Sequence, residues 1–268
     1  MKSNLPIGVF DAGIGGLTVV AHLRRILPNE DIIYFGDSAS NPYGSRPVEQ
    51  ILQLNKVMVD YLSARQVKLG VVACNTLSTL LNHYKDQYDF PFVGIVAPAA
   101  AYASRLGLNQ VGLIATETTA RQNTHADMAA SINPDVEIVG VGSPLLAHLV
   151  DCGEFNQDEI DDEIEKYMDI LLAKADVSQV ILGCTHYPIV RRNFERLYPG
   201  IKFIDPASLQ ADAVKQLLEE SGGLNTRPTK GRLEVLTNAN PELFAEILKR
   251  LGCEPADSLM QVDIGILR

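Results

Sequence analysis

Tryptophan is missing from this sequence and cysteine is scarce: Cys74, Cys152, Cys184 and Cys253 are the full set among 268 residues. Their wide spacing gives no C-x-x-C pair, and no H-x-x-x-H pair accompanies them. Neither a disulfide framework nor a metal site is therefore expected. Basic residues are also short, with 23 Lys and Arg against 33 Asp and Glu and a net charge of -10. A surface of that sign does not neutralise phosphates, so no nucleic-acid partner is expected. No apolar run reaches the roughly 18 residues of a membrane helix, so no membrane partner is expected either. The start, MKSNLPIGVF, turns into a short strand rather than the core of an export signal. With these absences, a reduced, cytoplasmic protein is expected.

What is present is ordinary core material. Hydrophobic residues make up 46% and charged residues 21% of a length that suits two domains. Short apolar runs recur at 7–10, 31–35, 70–74, 91–96, 111–115, 136–141, 180–183, 202–205 and 233–237. Continuous runs this short fit strands buried on both faces of a parallel sheet. Amphipathic stretches alternate with them. The clearest, 156–175, carries Ile160, Ile164, Tyr167, Met168, Leu171 and Leu172 on one face, with Asn156 as N-cap and Glu159 completing a capping box. This alternation predicts a doubly wound α/β fold with right-handed crossovers. Four strands lie before residue 97 and four between 111 and 205, so two similar halves are expected. The loop-like SGGLNTRPTKG at 221–231 follows the second half. The strand and helix after it are expected to return to the first half. The domains are then 1–97 with about 210–268, and 98–209.

Ligands of such sheets bind where strands end and helices begin, so the polar residues following strands are the candidates. Asp11 follows the first strand; Asp37, Pro42, Tyr43 and Gly44 follow the second; Cys74, Asn75 and Thr76 follow the third. In the second half Thr116 and Thr119 follow one strand, and Cys184, Thr185 and His186 follow another. A thiol at a helix start is expected to have a depressed pKa, making it a usable base. Two thiols facing one carbon, one removing a proton and the other delivering one, would invert a stereocentre. Cys152 and Cys253 read instead as small packing residues, and His22, His83 and His125 as surface or packing histidines. Asp11 and His186 are natural tuners of the thiols, although Asp11 also fits a helix N-cap near Gly15. The GIGG run at 13–16 lacks the last glycine of a dinucleotide fingerprint, with Thr18 in its place.

Together, IGVFDAGIGGLTV, GDSASNPYG, VVACNT and ILGCTHYP resemble the signature segments of glutamate racemases, from residue 7 to about 205. The resemblance implies two flavodoxin-like α/β domains with the active site between them. It implies interconversion of L- and D-glutamate without pyridoxal phosphate, metal or nucleotide, supplying D-glutamate for peptidoglycan, in an enzyme that is often a homodimer. By motif position it implies Cys74 and Cys184 as paired acid and base, assisted by Asp11 and His186. Pro42, Tyr43, Gly44, Asn75, Thr76, Thr116, Thr119 and Thr185 would hold substrate, with Asp37 and Asp151 in support. The chain departs from the family pattern at Ala12, a substrate-contacting position where serine is usual. It also departs at Ala97, where an acidic residue is usual, at His148 in place of proline and at Asp151 in place of glutamate. Aspartate as substrate, a non-catalytic regulatory binder (of DNA gyrase, for example) and a nucleotide enzyme built on GIGG stay open on the residues alone.

Overall fold

A computed structural model describes residues 2–44, 46–153 and 156–263. Ten strands run through them: β1 Ile7–Asp11, β2 Ile32–Gly36, β3 Leu69–Val72, β4 Phe92–Gly94, β5 Gln110–Thr116, β6 Glu137–Ser143, β7 Gln179–Gly183, β8 Lys202–Ile204, β9 Leu233–Thr237 and β10 Ser258–Gln261. The helices are α1 Leu17–Ile26, α2 Val48–Ala64, α3 Asn75–Thr79, α4 Val96–Ala103, α5 Glu117–Gln122, α6 Thr124–Ile132, α7 Leu146–Asp151, α8 Gln157–Lys174, α9 Arg191–Leu197, α10 Pro206–Glu220 and α11 Pro241–Arg250. Nine strands coincide with the apolar runs. The tenth, SLMQ, has no such run because it forms a half-exposed sheet edge that needs apolar contact on little of its surface.

Every strand pairing is parallel, as continuous apolar runs require. One sheet has the order β10-β9-β2-β1-β3-β4 and the other β6-β5-β7-β8. The second sheet therefore repeats the β2-β1-β3-β4 part of the first, strand for strand. Successive side chains of each strand enter opposite cores. Val9 and Val71 pack with α1, α10 and α11, whereas Phe10 and Val72 pack with α2 and α3. In the second sheet Ile114 and Leu182 face α7, α8 and α9, while Leu113 and Ile181 face α4 and α6. Helix α10 leaves the end of β8 and inserts Ala207, Ala211, Val214 and Leu218 into the core of the first sheet.

Helix α8 starts at the expected cap, with Asn156 Oδ1 accepting the Asp158 N–H at 3.2 Å. Its apolar face departs from expectation at one position. Leu172 is exposed, and the buried stripe includes Glu163, whose Oε1 accepts from Ser143 Oγ at 2.8 Å. A charged side chain enters a core only when such a donor meets it, and the helical period does not reveal the donor.

Candidate active site

Both sheets reverse their winding between corresponding strands, β1/β3 and β5/β7, and a crevice opens at the carboxyl end of each reversal. Asp11 ends β1 and Cys74 lies just beyond β3; Thr116 ends β5 and Cys184 lies just beyond β7. The two crevices meet in one cavity of about 80 Å³, well above the roughly 10–15 Å³ that admits a single water. Cys74 and Cys184 both line it, with Asp11, Ala12, Pro42, Tyr43, Gly44, Asn75, Thr76, Thr116, Thr185 and His186.

The GIGG loop joins the halves. Gly15 packs so tightly against Thr185 Oγ1 and His186 that a Cβ there would collide with both. Gly13 and Gly15 thus serve backbone approach between the units, and Gly16 close packing against Asp11 and Tyr34, which accounts for them without a nucleotide. Beside them Asp11 is fully buried, with Oδ1 accepting the Gly13 N–H at 3.0 Å and Oδ2 accepting from Thr185 Oγ1 at 3.0 Å. Gly16, not Asp11, takes the N-cap position of α1, so the capping alternative for Asp11 fails. Burial raises the Asp11 pKa to about 6, against the opposing pull of the His186 charge, the Gly13 N–H and the Thr185 hydroxyl.

On the second side, Cys184 Sγ lies 3.6 Å from His186 Nδ1, and His186 Nε2 lies 2.9 Å from Asp151 Oδ1. Asp151 also accepts from Asn41 Nδ2 at 2.8 Å and from the Ile14 N–H at 3.4 Å, so α7 is tied to two loops of the first unit. Burial opposes charge on His186, but Asp151 and the Cys184 sulfur outweigh it and hold the imidazole pKa well above its ordinary value. Burial likewise works against the Asp151 carboxylate, and the His186 bond lowers its pKa regardless. The result is a thiol, imidazole and carboxylate in line.

Around Cys74 the arrangement differs. Burial pushes this thiol well above its ordinary pKa, the Asp11 charge adds to the push, and the backbone N–H of Leu77 resists it. The expected lowering at a helix start is therefore overturned. Helix α3 spans only Asn75–Thr79, and Cys74 is 7% exposed, so lost hydration outweighs the dipole. Asn75 beside it is buried with neither Oδ1 nor Nδ2 hydrogen-bonded, an amide without partners in the cavity wall.

Three predicted residues stand behind the wall rather than in it. Thr119 holds Thr76 and Thr116 by hydroxyl contacts of 3.2 and 3.0 Å. Asp37 accepts from Tyr43 Oη and from Asn238 Nδ2, each at 2.5 Å, and so fixes the Tyr43–Gly44 loop. Asp151 likewise acts through His186 and Asn41. The wall also contains Asn41, Glu117, Ser143, Pro144, Ala147, His148 and Gly183, none of them among the sequence candidates. Glu117 and Ser143 could have been found, because each directly follows or ends a strand as the chosen residues do. Asn238 carries the same signal, since it directly follows β9. Among the described residues no cluster of His, Cys, Asp and Glu could hold a metal ion.

Residues 15–214 match the family model described as Asp/Glu/hydantoin racemase. The chain is 38% identical over 225 residues to a glutamate racemase of Trichormus variabilis, covering 83% of this chain and 76% of that one. Its fold is similar to that of glutamate racemase isoform RacE1 from Bacillus anthracis, with a TM-score of 0.91 and 27% identity over 99% of this chain and 100% of the other. It is similar also to glutamate racemase from Francisella tularensis in complex with D-glutamate, with a TM-score of 0.88 and 30% identity over 98% of both chains.

Proposed function

The chain belongs to the Asp/Glu/hydantoin racemase family, and from that premise we propose that it interconverts L- and D-glutamate by proton transfer between Cys74 and Cys184, without a cofactor. It is an amino-acid racemase, an isomerase. One observation carries the two-thiol reading: both sulfurs line a single cavity from equivalent strand ends of two sheets with the same strand order. Such a pair approaches a bound α-carbon from opposite sides. One sulfur takes the α-proton as thiolate while the other supplies its own to the far face, and the configuration inverts. In reverse the sulfurs exchange roles.

The remaining groups divide the substrate's charges. The unpartnered Asn75 amide, the Thr76, Thr116 and Thr185 hydroxyls and the loop at Tyr43–Gly44 suit two carboxylates. Asp11 suits the ammonium. Bringing that cation beside Cys74 offsets the burial and the Asp11 charge that hold the thiol up, so substrate itself makes this base available. Cys184 has a partner already in place, since His186 can exchange protons with Sγ while Asp151 steadies the imidazolium. Glutamate as substrate is supported by the relatives' names and by the D-glutamate in the Francisella tularensis complex. We further propose a cytoplasmic enzyme that supplies D-glutamate for peptidoglycan. Its domains are 1–97 with about 210–268, and 98–209, a division supported by the membership of the two sheets.

Single enantiomers of glutamate and aspartate incubated in D₂O provide the test. Each glutamate enantiomer should gain α-deuterium and yield the other. Deuterium entering only aspartate would overturn the substrate, and unchanged racemisation in Cys74→Ser or Cys184→Ser would overturn the mechanism.

A further inference from the structure

The start of helix α5 carries three threonines, and the reaction as described draws on two of them. Thr116 lines the cavity, and Thr119 stands behind it. Thr118 does neither. It is 6% exposed, and its Oγ1 donates to the Gly44 carbonyl across the cleft between the units. A helical hydroxyl ordinarily turns back to the carbonyl three or four residues earlier. Thr79, Ser104, Ser131 and Ser208 do so, bonding to the carbonyls of Thr76, Ala101, Met128 and Asp205. Thr118 directs its proton to the other unit instead. Arg121 Nη2 lies 3.5 Å from the same oxygen, and a guanidinium only donates, so the hydroxyl proton is left for Gly44.

The loop that Thr118 reaches brings Pro42, Tyr43 and Gly44 into the cavity wall. Its own unit holds it through Asp37, which accepts from Tyr43 Oη, and through Arg46 Nε, which donates to the Ser40 carbonyl at 2.9 Å. The opposite unit holds it on both sides of Tyr43. Asn41 Nδ2 donates to Asp151 at 2.8 Å, and Thr118 takes the Gly44 carbonyl. At this second point the loop backbone is close to the far wall: a Cβ on Gly44 would lie 3.0 Å from Thr116 Cβ. Among the described residues no acceptor meets the Gly44 N–H. Glycine has the widest choice of backbone conformations, so a bond to its carbonyl is what keeps that N–H in one place.

We propose that Thr118 is a positioning residue for racemisation: by holding the Gly44 carbonyl from the opposite unit, it sets the Gly44 N–H against a carboxylate of the substrate. The inference rests on the racemase reading, in which the Tyr43–Gly44 loop takes a carboxylate beside Thr116. Removing the hydroxyl frees one end of the loop while Asn41 still ties the other. Neither sulfur is touched. The carboxylate is gripped alike in the ground state and the transition state, so the loss falls on KM and not on kcat.

Thr118→Ala and Thr118→Ser are compared with wild type by glutamate kinetics, thermal unfolding and amide hydrogen exchange without ligand. Alanine should raise KM about three- to tenfold in both directions, with kcat within about twofold of wild type. Exchange should quicken several-fold in a peptide containing residues 41–44 and stay unchanged across 116–122. Serine keeps the hydroxyl and should restore both. An unmoved KM, a fall confined to kcat or to the unfolding midpoint, faster exchange in α5 itself, or failure of serine to restore would each overturn the positioning role. Exchange is read without substrate, so it decides whether Thr118 holds the loop independently of turnover. Wild type that left glutamate unracemised would sink the racemase reading and not this contact.

Discussion

Cys74 and Cys184 occupy equivalent places in the two halves, each just beyond the third strand of a β2-β1-β3-β4 arrangement, yet their neighbours have nothing in common. Cys184 faces an imidazole backed by a carboxylate. Cys74 faces the Asp11 carboxyl, whose pKa burial raises to about 6, and is itself pushed up by burial and by that charge. The repeated topology therefore places the sulfurs, while the proton equipment of each is separate. A racemase needs two bases that alternate, but it does not need two that are built alike. Because the equilibrium constant between enantiomers is one, kcat/KM must agree in both directions at every pH. The difference between the halves must instead appear in the state of the free enzyme and in how kcat and KM divide.

The largest effect should come from removing either sulfur. Cys74→Ser and Cys184→Ser should each lower racemisation by ~10³-fold or more in both directions, the upper range for loss of a positioned acid or base. Each should still eliminate a leaving group from a β-substituted analogue, because elimination needs one base. Polarimetry for the first and product analysis for the second separate the roles. Elimination lost in both variants would mean that the sulfurs act only as a pair.

Removing a neighbour should act on one half at a time. Asp151→Asn takes away the charge that holds His186 as imidazolium and should slow turnover by ~10²-fold. Asp11→Asn should do something different: with the nearby negative charge gone, Cys74 should react with iodoacetamide at lower pH than in wild type. Peptide mass spectrometry across pH 6 to 10 reads this. Cys74 labelling unmoved by Asp11→Asn would show that burial alone sets its state.

This contrast was only partly legible in the sequence. Nine strands and both cysteines could be read because a buried parallel strand needs a continuous apolar run, and because ligand-facing residues follow such strands directly. The state of Cys74 could not. A helix start is visible in the chain, but the 7% exposure that reverses its effect is a product of packing. The partner of Asn238 was hidden for a similar reason: the residue follows β9 directly, but it meets Asp37 across 201 residues, and only the adjacency of β9 and β2 makes them neighbours. Asp151 was found through the family pattern, while its grip on Asn41 and Ile14 is a property of two surfaces that meet only in the fold.

A third test compares buried charge in the two halves. In the first, Lys68 Nζ donates to Glu30, to the Ser3 carbonyl and to the Gly223 carbonyl at 2.6, 2.8 and 2.8 Å, so a buried cation is fully met. In the second, His125 on α6 is 0% exposed, and neither ring nitrogen has a hydrogen-bond partner. Burial lowers its pKa from 6.5 to about 4. Below pH 6.5 the unfolded chain binds a proton that the folded one refuses. Stability is therefore full above that pH and declines as pH falls towards 4, by about 3 kcal/mol in total. Denaturant unfolding at pH 7 and pH 4 should show the difference, and His125→Leu should remove this part of it. An undiminished acid loss in that variant would place the sensitivity elsewhere.

The smallest effect should come from Ala12, which lines the cavity beside Asp11 just as Glu117 lines it beside Thr116 in the other half. At 4% exposure Ala12 presents a methyl group where a hydroxyl could reach substrate. Ala12→Ser adds one hydrogen bond of about 0.5–1.5 kcal/mol, which should lower KM several-fold. A contact made equally in the ground state and the transition state leaves kcat unchanged. Ala12→Val, which adds bulk without a donor, should raise KM. If serine and valine move KM in the same direction, volume and not hydrogen bonding governs this wall. The asymmetry between the halves at this position would then be one of shape.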